Sequence, residues 1–162
     1  MPTTPRRTNE LFPYRSLRQI LSKRPPVVHS VGPGDPVSVA LQRMAQHRIG
    51  LVVVLESGRL VGVLSERDLV RRAGQPDATT LRDLPVAELM TRDVVTVGPD
   101  EQFGRCLALM DEHGVRHLPV VEAGRVITVI SLRDLLHEAV AHHRLVLAEM
   151  DRERLAAFQS MH

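Results

Sequence analysis

Two short stretches carry the residue types best suited to chemistry. Gly62-Val63-Leu64-Ser65-Glu66-Arg67-Asp68-Leu69 ends an apolar run and then presents Ser-x-Arg-Asp, and Thr128-Val129-Ile130-Ser131-Leu132-Arg133-Asp134-Leu135 does the same 66 residues later. In each, a strand runs straight into a helix. The first turn of a helix has unpaired backbone N–H groups and the positive end of the helix dipole, a geometry that suits phosphate. Ser65 and Ser131 can cap the helix and offer a hydroxyl, and Arg67 and Arg133 add a fork of charged donors. Asp68 and Asp134 are acceptors suited to the paired hydroxyls of a ribose. Each charge-assisted hydrogen bond to such a carboxylate is worth roughly 1.5–3 kcal/mol. One copy alone reads as a capping box with Asp in place of Glu. Two copies in the same register point to paired ligand clefts.

The elements that position these residues recur with them. Between Met44–Leu69 and Met110–Leu135 the register holds without a gap, and 11 of 26 positions are identical. The chain is an internal duplication. Ser16 to Ser22 predicts a short helix, ended by Pro25-Pro26, with Val27-Val28 extended after it. Gly32-Pro33-Gly34-Asp35-Pro36 is a turn with Asp35 expected as N-cap and Pro36 as first helical residue. A helix over about 36–47, a strand from Gly50 to Leu55, a turn at Ser57-Gly58, a strand over Leu60–Leu64 and a helix from Ser65 to near Gly74 complete the first unit. After a polar linker, Pro85 opens a short helix to Met90. The pattern then repeats: Val94–Val97 extended, a helix over about 100–113, strands near His117–Glu122 and Arg125–Ile130, and a helix from Ser131. The expected divisions are a basic arm (1–15), a first repeat (16–74), a linker (75–84), a second repeat (85–138) and a helical extension (139–162). The fold class is α/β, two β-α-β-β-α repeats about a pseudo-twofold axis, each burying the apolar face of its sheet against the other. From Leu132 onward, Leu135, Leu136, Ala139, Val140, His143, Leu147 and Met150 keep helical spacing, extended by Leu155 and Phe158. The stripe beyond His142 is expected to meet another chain.

Other candidate chemistries find less support. His47 and His113 are equivalent positions near helix ends and fit dipole partners. His142-His143 points in two directions, and His137, Glu138 and His143 lack a tight ligand face, so no metal is expected. Cys106 shares a helix face with Phe103, Leu107 and Met110 and reads as core. No Ser/His/Asp or Cys/His arrangement stands out, and Asp68 and Asp134 belong one to each cleft.

Net charge is +2 over 162 residues, but residues 1–24 hold six Arg/Lys against Glu10 alone, which leaves the rest near −3. A basic arm can touch nucleic acid or an acidic partner, yet few aromatics accompany it for base stacking. Lys23 stands alone among 21 basic residues, a bias towards arginine. A single cysteine makes no internal disulfide and fits a reducing compartment. No apolar run approaches a membrane span, and the N-terminal arginine pair has no apolar stretch behind it. A cytoplasmic protein is expected.

Met90-Thr91-Arg92-Asp93-Val94-Val95-Thr96-Val97, Val115-Arg116-His117-Leu118-Pro119-Val120-Val121 and the two Ser-x-Arg-Asp elements together resemble the cystathionine-β-synthase-type (CBS) domain in tandem, a Bateman module. The resemblance covers about residues 16–138, and the form looks like that of the stand-alone bacterial CBS pairs. It implies a regulatory module for an adenine nucleoside or nucleotide, AMP foremost, then ATP, NAD(H) or S-adenosylmethionine, as regulatory ligand rather than required cofactor. It also implies that Asp68 and Asp134 hold ribose, and that Ser65, Ser131, Arg67 and Arg133 contact ribose and phosphate. Adenine would lie among Thr91, Val94, Val95, Arg116, His117, Leu118 and Pro119, or their first-half counterparts Val28, His29, Gly50 and Leu51. Such modules pair through their repeat helices, so a homodimer with a further regulated protein is expected, with no membrane, catalytic or nucleic-acid role. The alternatives are nucleic-acid binding by the arm and a ligand-free dimeric scaffold.

Two departures from that family pattern bear on the clefts. The first half has Gly50-Leu51-Val52-Val53 where the second has Arg116-His117-Leu118-Pro119, so the clefts cannot be equivalent. Thr128 stands where the first copy has Gly62, and its branched side chain takes space beside a cleft or the hairpin. One occupied site per chain is the expectation.

Overall fold

Each repeat is built on a hairpin whose two halves explain each other. In the computed structural model, which describes residues 16–23, 25–76 and 78–159, β2 (Leu51–Glu56) pairs antiparallel with β3 (Arg59–Ser65), and β4 (His117–Glu122) with β5 (Arg125–Ser131). The connecting turns, Ser57-Gly58 and Ala123-Gly124, have positive φ at both residues, the backbone of a type I′ turn matched to strand twist. The same bulge recurs in both hairpins, between Val54 and Leu55 and between Val120 and Val121. The basic arm expected over 1–15 lies outside the described residues.

Helices cover one side of each hairpin. In the first repeat, α2 (Val37–His47) precedes the hairpin and α3 (Glu66–Ala73) follows it, and β1 (Ser30–Val31) adds a parallel edge to β2. In the second, α4 (Phe103–Glu112) and α5 (Leu132–Gln159) take the same places. Where β1 has its counterpart, the expected Val94–Val97 strand is reduced to one parallel bridge, Val97 to Val120.

Several expected boundaries move. Pro36, not Asp35, is the N-cap of α2, because the Asp35 carboxylate turns back to accept from Gly32 N–H at 2.7 Å. The helix expected from 100 begins at Phe103, since Glu101 closes a turn onto the Gly98 carbonyl first. The linker holds a 3₁₀ segment, Ala78–Asp83, and the helix expected over 85–90 is a 3₁₀ turn, Val86–Glu88, behind Pro85.

The interior is two apolar clusters rather than one shared core, and each borrows from the other repeat. Val31, Val37, Ala40, Met44, Val52, Val54, Leu64 and Leu69 of the first repeat enclose Val86 and Met90, which come from beyond the linker. Val97, Phe103, Cys106, Met110, Leu118, Val120, Ile130 and Leu135 enclose Leu17 and Ile20 of α1 (Leu17–Leu21). Matching hydrogen bonds pin both exchanges. Leu17 N–H donates to the Glu101 carbonyl and Val86 N–H to that of Asp35, both at 2.9 Å. Arg18 N–H reaches Pro99 and Ala87 N–H reaches Pro33, the residue 66 positions earlier. These pairings express the pseudo-twofold axis in the backbone. The Arg18 side chain adds contacts of 2.7 Å to Asp100 and Glu122, exposed pairs that fix geometry more than stability.

The candidate nucleotide clefts

The two Ser-x-Arg-Asp elements fold alike. Ser65 is the N-cap of α3; its N–H and Oγ–H donate to Asp68 Oδ2 at 2.9 and 2.6 Å, and Asp68 N–H returns to Ser65 Oγ at 3.4 Å. Ser131 and Asp134 repeat this with 2.9, 2.6 and 3.1 Å. The cap and the ligand site are therefore not alternatives. In each carboxylate it is Oδ2 that closes the box, so at Asp68 capping and a further contact at the second oxygen are compatible.

A cleft opens in front of each cap, and both repeats line it. The first, of about 210 Å³, gathers Ser65, Arg67 and Asp68 with Thr91, Val94, Val95, Arg116, His117 and Pro119, and Gly50 and Leu51 close its inner end. The second, wider at about 760 Å³, gathers Ser131, Arg133 and Asp134 with His29, Gly50, Leu51, Arg116 and His117. Two expected residues fall elsewhere. Leu118 is fully buried in the second core, because strand alternation sends His117 and Pro119 to one face and Leu118 to the other. Val28 lines neither cleft, whereas its neighbours Val27 and His29 face the second.

Sequence reasoning missed Arg71 and Asp93 in the first cleft and Arg48 and His137 in the second. Arg71 lies one helical turn beyond Arg67 on the same face, so helical spacing could have found it. Cationic Arg67, Arg71 and Arg116 thus share the first cleft with Glu66, Asp68 and Asp93, a mixture suited to a ligand with both an anionic end and hydroxyl donors. Arg67 also donates to the Gly114 carbonyl at 2.8 Å, tying the cap of one repeat to the end of α4 in the other.

The clefts differ for a reason written in the chain. Val63 and Thr91 exchange two backbone hydrogen bonds, of 3.0 and 2.8 Å, that close one wall of the first cleft. Sixty-six residues on, Val63 becomes Val129, and the segment that lies against the neighbouring Thr128 is Pro25-Pro26-Val27, whose prolines have no N–H to donate. Among the described residues that bridge is not repeated. Gly62 permits the close approach in the first copy, since a Cβ there would stand 2.7 Å from Met90 Sδ and 2.9 Å from the Thr91 carbonyl oxygen. Thr128 fills that space in the second, where its hydroxyl reaches the Val27 carbonyl at 3.4 Å. A separate cavity lies beside Thr128, against Pro25, Pro26 and Asp134.

The clefts share an inner wall of Gly50, Leu51, Glu66, Arg116 and His117. Burial, and then the charge of Arg116, lowers the His117 pKa against opposing pulls from Asp134 and Glu66. His29 is also lowered, by burial and by His47 and Arg43, and its ring lies 4.0 Å from that of His47. Burial pushes the Cys106 thiol up to about 11, as befits a core residue. Among the described residues no cluster of three or more His, Cys, Asp or Glu is arranged to hold a metal. Among them, too, no helix is long and apolar enough to cross a membrane.

Comparison with known proteins matches this architecture. The CBS domain family matches residues 17–74 and again 86–141. The chain therefore belongs to the CBS domain family, as a tandem pair. It is 33% identical over 110 residues to the CBS domain-containing protein YhcV of Bacillus subtilis, covering 67% of this chain and 76% of that one. The crystal structure of the CBS-domain containing protein ATU1752 from Agrobacterium tumefaciens superposes with a TM-score of 0.71 at 29% identity, covering 76% of this chain and 92% of that one. The CBS domain pair of protein MJ0100, solved in complex with 5′-methylthioadenosine and S-adenosyl-L-methionine, shares the fold at a TM-score of 0.68 and 23% identity, covering 80% and 99%.

Proposed function

We propose that this CBS pair is a sensor that binds an adenine nucleotide, AMP foremost, in the first cleft, and that it regulates another protein rather than catalysing a reaction. One observation carries the reading. The first cleft joins a capped helix N-terminus bearing Ser65, Arg67 and Asp68 to Arg71 and Arg116 and to an apolar wall of Leu51, Val94, Val95 and Pro119. Phosphate meets the helix start and arginines, ribose meets Asp68, and adenine lies on the apolar wall. The confined volume suits a mononucleotide better than NAD. The adenosine-derived ligands of the MJ0100 pair agree with that chemistry.

The second cleft, lacking the Val63–Thr91 type of bridge, binds the same ligand more weakly, which gives one occupied site per chain. Binding favours whichever arrangement of the repeats closes the first cleft, and only that difference in affinity can drive a response. Two chains pair through their repeat helices, where Val70 on α3 is largely exposed.

The test is calorimetry and thermal melting of the chain with AMP, ATP, NADH and S-adenosylmethionine. AMP at a hundred times its dissociation constant is expected to add about 2.7 kcal/mol of stability, with one site per chain, abolished by Asp68→Ala and retained in Asp134→Ala. Absence of stabilisation by any of the four, or steady turnover of a nucleotide, overturns the reading.

A further inference from the structure

Helix α5 runs for 28 residues, about 42 Å at 1.5 Å per residue, far more than its repeat uses. Leu135 is fully buried and Ala139 packs on the second core, but from His143 to Phe158 every residue is exposed. At helical spacing Leu136, Val140, His143, Leu147, Met150, Arg154 and Phe158 form one continuous stripe. Five of these seven are large apolar side chains left exposed. Among the described residues Leu147 and Met150 are exposed and pack on neither core, so the middle of the stripe is open to a partner.

The spacing says what fits. Measured from Leu147, the stripe positions lie at −11, −7, −4, 0, +3, +7 and +11, a nearly palindromic series. Two copies laid antiparallel about Leu147 therefore set stripe on stripe. Leu147 meets its counterpart, Val140 meets the aliphatic stem of Arg154 from the other copy, and Met150 meets His143. Charge selects the same direction. Arg144 and Asp151 flank the stripe on one side, and antiparallel pairing sets Arg144 of each copy beside Asp151 of the other, twice by symmetry. A parallel pair would oppose Arg154 to Arg154 and set Arg144 beside Ala139 and Asp151 beside Val146, with no ion pair. Helix dipoles also oppose favourably only in the antiparallel case. We infer that the projecting part of α5 is a dimerisation helix that pairs antiparallel with α5 of a second copy, centred on Leu147. The part of α5 from His143 onward lies beyond the second repeat, which ends at residue 141 of the family match, and its pairing does not depend on which nucleotide binds.

Sedimentation equilibrium of the full chain, with and without Arg144→Asp, tests the pairing. Arg144→Asp is expected to weaken the dimer on the order of tenfold, two rim pairs turning from attraction to repulsion, and Arg144→Asp with Asp151→Arg to restore it. Cysteine pairs read the geometry, because Cys106 is buried. Leu147→Cys is expected to form an interchain disulfide and Leu145→Cys, on the opposite face, is not. Val140→Cys and Arg154→Cys are each expected to cross-link only when the two variants are mixed. A monomer at every concentration, a dimer indifferent to Arg144, or Val140→Cys cross-linking to itself overturns the proposal. The first two outcomes leave the stripe to another protein or to the chain's own body, and the third indicates a parallel pair.

Discussion

Arg67 of the first repeat donates to the carbonyl of Gly114, at the end of α4 in the second, at 2.8 Å. The same guanidinium lines the first cleft, so one side chain both holds the repeats together and faces the ligand site. Arg67→Ala should therefore lower AMP affinity on the order of tenfold or more, as loss of a charge-assisted bond implies. Arg133→Ala in the wider cleft should change it by less than threefold, roughly the effect of one weak surface contact. Isothermal calorimetry on the two variants checks the order.

The clash built into Gly62 gives a second expectation. Gly62→Ala places a Cβ 2.9 Å from the Thr91 carbonyl oxygen, and backbone cannot yield cheaply there. A cost of roughly 1–3 kcal/mol is expected, together with weaker AMP binding as the Val63–Thr91 wall loosens. Thr128→Gly should show neither the binding loss nor a clash. Denaturant midpoints and calorimetry on both variants separate these effects.

Arg48 closes α2 in the left-handed conformation, with φ +53°, where the second repeat uses Gly114 at +61°. A Cβ in that region is strained, so Arg48→Gly should stabilise the chain by about 1 kcal/mol. An unchanged or lower denaturation midpoint would show that the Arg48 side chain contributes more than its backbone costs.

His29 and His117 both have lowered pKa values, chiefly from burial. Near pH 6 the unfolded chain then binds more protons than the folded one, so stability rises with pH. Stability should be unaffected by these groups above the ordinary histidine range near 6.5 and should fall as the pH drops below it. His117→Gln should flatten part of that fall in urea titrations at a series of pH values. A fall of the same steepness in the variant would assign the dependence to other groups.

Much of this architecture was legible because it is written twice. The capping boxes at Ser65 and Ser131, the turns at Gly58 and Gly124 and the hairpins between them follow from local pattern, and repetition separated them from coincidence. The exchange of α1 and Val86–Met90 was not legible. Leu17 and Ile20 mark an apolar face, but helical spacing does not say which sheet receives it. The placement of Leu118 was legible in principle, since period-two alternation puts it opposite His117 and Pro119, and the family motif drew attention to four consecutive residues instead. The unequal clefts were half visible: Thr128 stood out, while Pro25, which cannot supply the bridging N–H, read only as the end of a helix.

The crossed-over segments also set the order in which the chain can become complete. Leu17 and Ile20 have no finished place until Phe103 and Leu135 exist to enclose them, and the first repeat waits for Val86 and Met90. Contacts this distant in sequence form late and slowly. Neither repeat is a self-sufficient folding unit: a chain cut in the linker would yield two fragments, each holding a piece the other lacks, which recover their interiors only by finding one another.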